Sequence, residues 1–410
     1  MEFVLFGLVA VAVVLAVGSH QSQAWIQAMT ALARQHEGLE VVRGGVFKSA
    51  SVTGTVDDVP VTVDTFTRSH GKSSTTYSRV AVEIELPAAL RVGREGFGTS
   101  LTKVFMGDDI EVGDHDFDAA LTLRGAEPAT VVAHLDAATR QALRSAIEVH
   151  RAELDAGTLK LVVVGRAKLP VLEGLIDAGL DVARAARATS GSVAERLERI
   201  AFDDPVPGVQ RRAFELLMSR VNRGGAERIA RRALETGDPA MAVLAAEVLR
   251  DEAAVAALHA VVASSRAPNG ALARALELLA ELGRPPAEPA VQPLTEALDE
   301  AVRASAARCL GAIGGAAAQA RLVELLGDEP TIGVAAADAL GRCGDLATVE
   351  PLLARTKGVF GSSELKRAAG AAIKAIQARG AGSAGQLSLV EHDGGGGLAL
   401  VAEGDPEVVP

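Results

Sequence analysis

Three periodicities divide the chain. Between residues 24 and 37, Trp25, Ile26, Met29, Leu32 and Ala33 recur at helical spacing and mark one face of a helix. From residue 52 the period drops to two. The stretch VTGTVDDVPVTV, 52–63, predicts two short strands with Asp57 and Asp58 near the turn, and RVAVEIEL, 79–86, alternates as a half-buried strand. Residues 119–124, 152–154 and 159–164 extend the strand count, the last two separated by Asp155-Ala156-Gly157, and helical stretches intervene around 128–148 and 170–188. Strands and helices mixed in this way predict an α+β domain that ends near residue 190.

Beyond 195 the pattern repeats at a longer interval. The rows VQRRAFELL (209–217), MAVLAAEVL (241–249), ALARALELL (271–279), VRASAARCL (302–310), IGVAAADAL (332–340) and LKRAAGAAI (365–373) recur every 30 to 33 residues. Each begins with an apolar residue, has alanine fifth (Ala213, Ala245, Ala275, Ala306, Ala336, Ala369) and ends on Leu or Ile. Those positions share one side of a helix, and a small residue between two larger ones lets a neighbouring helix approach closely. A second helix is expected in each unit, as in AVQPLTEAL (290–298), ARLVELL (320–326) and TVEPLLA (348–354), after glycine-containing turns at 311–315 and 341–344. Helix pairs that cannot bury their faces alone must stack, which predicts an α-solenoid. At VRASAARCLGAIGG the sequence resembles the short HEAT-like repeats also found in phycobilin lyases, through Val302, Arg303, Ala306, Ala307, Leu310, Gly311, Ile313 and Gly314. The resemblance covers about 195–380 in roughly six units. It implies a fold and a protein-binding surface, with lyase activity confined to a minority of such arrays.

The opening MEFVLFGLVAVAVVLAVG is apolar from residue 3 to residue 17 apart from Gly7. As a helix it would reach about 22 Å, short of a hydrocarbon layer of about 30 Å unless its flanks contribute. A cleavable signal is the competing reading, with Ala16-Val17-Gly18 as the small-residue site, but Glu2 stands where that reading wants Lys or Arg. The expectation is an N-terminal transmembrane helix, 1–18. Arg34, Arg43 and Lys48 follow it and no base precedes it, so the bulk of the chain is placed in the cytoplasm, on a single pass through the inner membrane. No cysteine lies near enough for a lipid anchor.

Composition changes this picture in two places. Aromatic residues are 3% of the chain, so its cores must be built from small aliphatic side chains. Acids outnumber bases 22 to 18 over 19–190, 24 to 23 over 191–380 and 5 to none over 381–410. With no basic domain and few rings for base stacking, nucleic acid is not an expected partner. Cys309 and Cys343 sit in apolar helical pattern and read as buried free thiols.

The densest chemistry is GDDIEVGDHDFDAALTLRG, 107–125, with Asp108, Asp109, Glu111, Asp114, Asp116 and Asp118 around His115. From Asp114 the D-x-D-x-D spacing starts like a calcium loop, but Ala119 stands where that loop needs glycine and Gly125 where it needs a bidentate Glu. His115 has no partner histidine at helical spacing for zinc. No metal or cofactor is expected, and the acids read as turn chemistry between strands. Gly113-Asp114-His115-Asp116-Phe117-Asp118 also resembles the GD-x-x-FD turn of an uncharacterised bacterial domain, over about 20–165, that often follows a single membrane helix. That likeness implies no activity. HGKSS, 70–74, lacks the upstream glycine of a phosphate loop because residue 66 is Phe, and GREGFG, 93–98, has its glycines at the wrong spacing for a dinucleotide loop.

One cluster departs from charge balance. Arg211, Arg212, Arg220, Arg223, Arg228, Arg231 and Arg232 face only Glu215 and Glu227 within their stretch, and are the candidate partner-binding residues, either as a solvated end of the array or as a patch for anionic headgroups or an acidic segment. The Gly-rich tail, 381–410, is expected to be mostly disordered, although GQLSLVE and GGLALVAEG echo each other as potential strands. No nucleophile, base and orienting group occur in a recognisable motif. The sequence therefore predicts a membrane-anchored, non-enzymatic scaffold that binds a protein partner on a concave face lined by second helices. A secreted or periplasmic binding protein and a small-ligand or chromophore-handling enzyme are the alternatives.

Overall fold

The computed structural model describes residues 22–44, 49–71, 73–94, 109–125, 127–264, 266–356, 362–381, 387–390 and 397–400. The apolar stretch 3–17, Lys72 of HGKSS and residues 95–98 of GREGFG lie outside these. Among the described residues no helix is long and apolar enough to cross a membrane. The chain divides into two compact units, 1–221 and 222–410.

The first unit is a single antiparallel sheet with helices. Its eight strands are β1 (Leu39–Val42), β2 (Ser51–Val56), β3 (Val59–His70), β4 (Ser73–Glu83), β5 (Arg91–Arg94), β6 (Leu121–Arg124), β7 (Glu153–Asp155) and β8 (Thr158–Val164), in the order β1-β2-β3-β4-β8-β7-β5-β6. Two tight turns fix the register. Asp57 and Asp58 both have positive φ, as do Ala156 and Gly157, which is the twist a two-residue hairpin demands. The period-two pattern puts Val61, Val63, Val80, Val82, Leu159 and Leu161 into the core. Helix α1 (22–35) contributes Trp25, Met29 and Leu32 to the core, and the Trp25 indole donates to the Ala50 carbonyl at 2.7 Å. The helical stretch expected at 128–148 is two helices, α3 (Pro128–His134) and α4 (Ala137–His150), because Asp136 caps the second through the Thr139 amide. The long helix α5 (Leu169–Ala188) lies against β3, β4 and β8, so close that a Cβ on Gly179 would stand 2.5 Å from Val82.

Helices α6 (Val193–Asp203) and α7 (Pro207–Met218) complete this unit by packing on each other and on α3. The first of the six rows is therefore part of the same compact body as the sheet.

The second unit holds α8 (Arg223–Glu235), α9 (Pro239–Leu249), α10 (Glu252–Ala263), α11 (Asn269–Glu281), α12 (Glu288–Val291), α13 (Glu300–Ile313), α14 (Gly315–Leu325), α15 (Pro330–Cys343), α16 (Val349–Thr356) and α17 (Ser363–Ala381). Rows two to six lie on α9, α11, α13, α15 and α17, which pack each on the next in a solenoid-like arrangement. All six repeat alanines, the one on α7 included, are at 0% exposure, as close helix contact requires. The second helices are uneven. Around Pro293 the α-helix gives way to a 3₁₀ turn, Gln292–Glu296, since proline has no amide to donate.

One expectation is corrected. Gly311 and Gly341 are not turn residues but lie inside α13 and α15, fully buried. A Cβ on Gly311 would stand 2.6 Å from the Ala339 Cβ, and one on Gly341 would stand 3.1 Å from the Ala372 Cα. The glycines are there for helix contact, tenth position of one row against eighth of the next. The turn after α13 belongs to Gly314 and Gly315, both at positive φ. In the tail, the two echoes pair with each other, Leu387–Val390 antiparallel to Gly397–Leu400.

Candidate functional site

The first helices of successive repeats present a continuous strip of charge. Arg274, fourth in its row on α11, reaches back to Glu247 on α9 at 2.7 Å and along its own helix to Glu277 and Glu281 at 3.3 and 3.2 Å. Glu277 in turn accepts from Ser305 at 3.0 Å and from Arg308 at 2.9 Å, both on α13. The Arg342 guanidinium on α15 donates to the Arg308 carbonyl at 3.2 Å, and Arg250 closes the other end on Glu281 at 3.6 Å. The hydrogen bond to Glu247 raises the Arg274 pKa further above its ordinary value, so its charge is permanent. These groups are 31 to 54% exposed, and pairs of that kind stabilise by only about 0.2–1 kcal/mol each. Their consequence is order: long side chains are held in fixed places on a surface that water reaches.

Between them lies a depression of about 520 Å³ lined by Glu277, Ala280, Glu281, Arg308, Ala312 and Arg342. Its lining combines two alanines with two carboxylates and two guanidiniums. Such a surface can receive charged side chains of a partner at defined positions and reject wrongly charged ones. It lies on the first helices rather than on the second. Sequence reading by pattern alone missed these residues, although aligning the rows by column would have shown charge at the seventh position (Glu247, Glu277, Arg308) and eleventh (Glu281, Arg342).

The arginine cluster is distributed differently. Arg211, Arg212 and Arg220 belong to the first unit, and Arg223, Arg228, Arg231 and Arg232 to α8 of the second. Arg212 pairs with Glu215 at 3.5 Å, Arg220 with Glu127, Arg223 with Glu227 at 3.0 Å and Arg231 with Asp251 at 2.7 Å. Arg228 and Arg232 are engaged as well. Glu127 and Asp251 come from outside the basic stretch, so much of its apparent excess of positive charge is met on folding.

The acidic stretch builds a clasp. Asp114 caps the short helix α2 (His115–Ala120) through the Phe117 amide at 3.2 Å and also accepts from Arg140 Nε at 3.1 Å. Asp118 takes the Val112 and Gly113 amides at 3.0 and 2.9 Å, while burial pushes its pKa up. Arg140, 3% exposed, makes a two-pronged pair with Asp204 at 2.9 Å on both nitrogens and donates to the Leu135 carbonyl. Gly113 abuts the Gly208 backbone so closely that neither position has room for a side chain. The GD-x-x-FD turn thus fastens the α6–α7 hairpin to the sheet domain. His115 and Asp116 are exposed, and among the described residues no group of three or more His, Cys, Asp or Glu is placed to hold a metal.

A family model described as HEAT repeats matches residues 255–337, from α10 to α15, which supports a HEAT-like repeat array there. No curated protein matches the chain.

Proposed function

We propose that this protein is a membrane-anchored scaffold without catalytic activity, and that its helical array binds a protein partner along the first-helix strip centred on Glu277, Arg308 and Arg342. The observation that carries the reading is the ladder of cross-repeat ion pairs around a depression lined by Glu277, Glu281, Arg308 and Arg342, centred on the region that matches HEAT repeats. Arrays of such repeats serve mainly as protein-binding surfaces, and fixed charge favours recognition more than stability. The anchor is assigned to residues 1–18, with a single pass of the inner membrane and the bulk of the chain cytoplasmic, on the strength of the apolar stretch and the bases that follow it. In this reading the first unit is the bacterial membrane-adjacent domain it resembles, and the array shares its fold with phycobilin-lyase-type repeats without their chemistry.

The test is affinity capture from detergent-solubilised cells with the full chain and with the double variant Arg308→Glu, Arg342→Glu. A partner recovered by the first and lost by the second, with circular dichroism unchanged, is the expected result. Equal recovery by both would remove the strip from the recognition surface.

A further inference from the structure

A second cleft, in the first unit, has a different chemistry. It encloses about 820 Å³ between α1, the start of β4 and the loop from β8 to α5, and its lining includes Trp25, Ser74, Thr75, Thr76, Arg166 and Lys168. That volume is in the range of sites for small organic ligands and exceeds what a bare inorganic anion fills. The lining holds two cations and three hydroxyls and no Asp or Glu.

The loop that carries the cations is fixed from beneath. Ser78, at 0% exposure, donates to the Gly165 carbonyl at 2.8 Å and accepts from the Ala167 amide at 2.9 Å, so the residues on either side of Arg166 are held by one buried hydroxyl. Arg166 donates to Ser22 at 3.2 Å and reaches Ser49 at 3.5 Å, and its buried Nε has no partner. Among the described residues neither Arg166 nor Lys168 forms an ion pair. Lys168 is also the N-cap of the twenty-residue helix α5, where no side chain supplies the usual capping oxygen. A half-buried guanidinium, an ammonium and the positive end of a long helix therefore border one space that has no carboxylate among its described lining residues.

We propose that this cleft binds the phosphate headgroup of an anionic phospholipid. The apolar part of the site favours a lipid over free phosphate. Ala24, Ala28 and Ala31 form one face of α1 along the cleft, and Val164, also in its lining, is 70% exposed. Helix α1 also begins four residues after the apolar stretch ends at Gly18, a reach of at most about 14 Å of extended chain. The proposal rests on the anchored reading for the presence of a bilayer at that distance.

Trp25 is the chain's one tryptophan and lines the cleft from the core side, so a change in its fluorescence arises at this one residue beside the site. The full chain in neutral detergent is titrated with dihexanoyl phosphatidic acid, dihexanoyl phosphatidylcholine and inorganic phosphate. Saturable change is expected with the phosphatidic acid, about tenfold weaker with phosphatidylcholine, with inorganic phosphate and for Lys168→Ala, a charge-assisted contact being worth about that factor. Lys374→Ala, an exposed lysine on α17, is expected to bind as the wild type does. No saturable change with phosphatidic acid, or equal affinity for phosphatidylcholine or in Lys168→Ala, overturns the site. Inorganic phosphate binding as tightly as the lipid overturns the lipid assignment. Flotation with neutral vesicles, comparing the full chain with one starting at Ser19, tests the anchor separately. Loss of flotation on removing the segment, alongside a negative titration, leaves the anchor and removes the cleft.

Discussion

Replacing Gly311 by alanine tests the helix contact that joins one repeat to the next. In an isolated helix the change would be favourable by about 0.8–1 kcal/mol, because glycine has the lower helix propensity. Here the new methyl would stand 2.6 Å from the Ala339 Cβ and 2.8 Å from its Cα, where about 3.5–4 Å is comfortable. Neither atom can rotate away, so α13 and α15 must move apart along a contact lined by Ala306, Ala307, Ala336 and Ala339, all buried. Overpacking of this kind costs typically 1–3 kcal/mol, and backbone atoms at the contact place it in the upper half of that range. The net expectation is a loss of about 1–2 kcal/mol. Gly370→Ala is the matched control: it lies within α17, and an added Cβ there meets nothing within 4 Å, so a gain of about 0.4–1 kcal/mol is expected.

The readout is local opening of α13. Cys309 is two residues from Gly311 and fully buried, and its labelling by a thiol reagent under native conditions follows the population of the opened helix. Labelling should rise about 5- to 30-fold in Gly311→Ala and not in Gly370→Ala. If both substitutions slow labelling, the two glycines are equivalent, and the account of position ten as a steric requirement is wrong.

Arg140→Leu should destabilise the first unit by about 3–5 kcal/mol, since it strands the buried Asp204 carboxylate, and chemical unfolding of the variant measures it. Burial pushes the Cys309 thiol up to about 12, so a thiol count at pH 8 should find Cys309 unreactive in the native protein and both thiols reactive in denaturant. Glu127 is held down to about 2 by its hydrogen bond from the Thr130 hydroxyl, with Arg220 adding to the effect against partial desolvation. Its folded value lies below the ordinary 4.5, so its contribution to stability is present above pH 4.5 and vanishes as pH falls toward 2. At 51% exposure it is worth less than about 1 kcal/mol, and Glu127→Gln should match the wild type near pH 2 while being slightly less stable at pH 7.

What could be read from the sequence was whatever repeats locally. The six alanines recur every 30 to 33 residues between larger apolar neighbours on the same helix side, and each one is buried. The turns at 57–58 and 156–157 carry their own backbone chemistry and fall where the period-two pattern placed them. Gly311 and Gly341 misled because glycine after a leucine-ending row has two uses, ending a helix or admitting another, and only the position of the neighbour chooses between them. The charged strip was hidden for a related reason. Arg274 looks like one side of an ordinary i, i+3 pair until Glu247, 27 residues earlier, is brought beside it.

Long sequence separation also explains the acidic turn. Its aspartates invite a metal reading because carboxylates close in sequence look mutually repulsive and in need of a cation. The cation is Arg140, 26 residues from Asp114 and 64 from Asp204, and nothing near any of the three announces the match. Once paired, the same carboxylates bring the α6–α7 hairpin onto the sheet domain, with Gly113 and Gly208 permitting backbone contact. The change of period near 190 and the compact division at 221 therefore record different things. The first marks where helical repetition begins, and the second marks how far the ion-paired clasp reaches into it. Within the first unit, α6 and α7 form a hairpin that packs on α3 and whose linker is tied through Asp204.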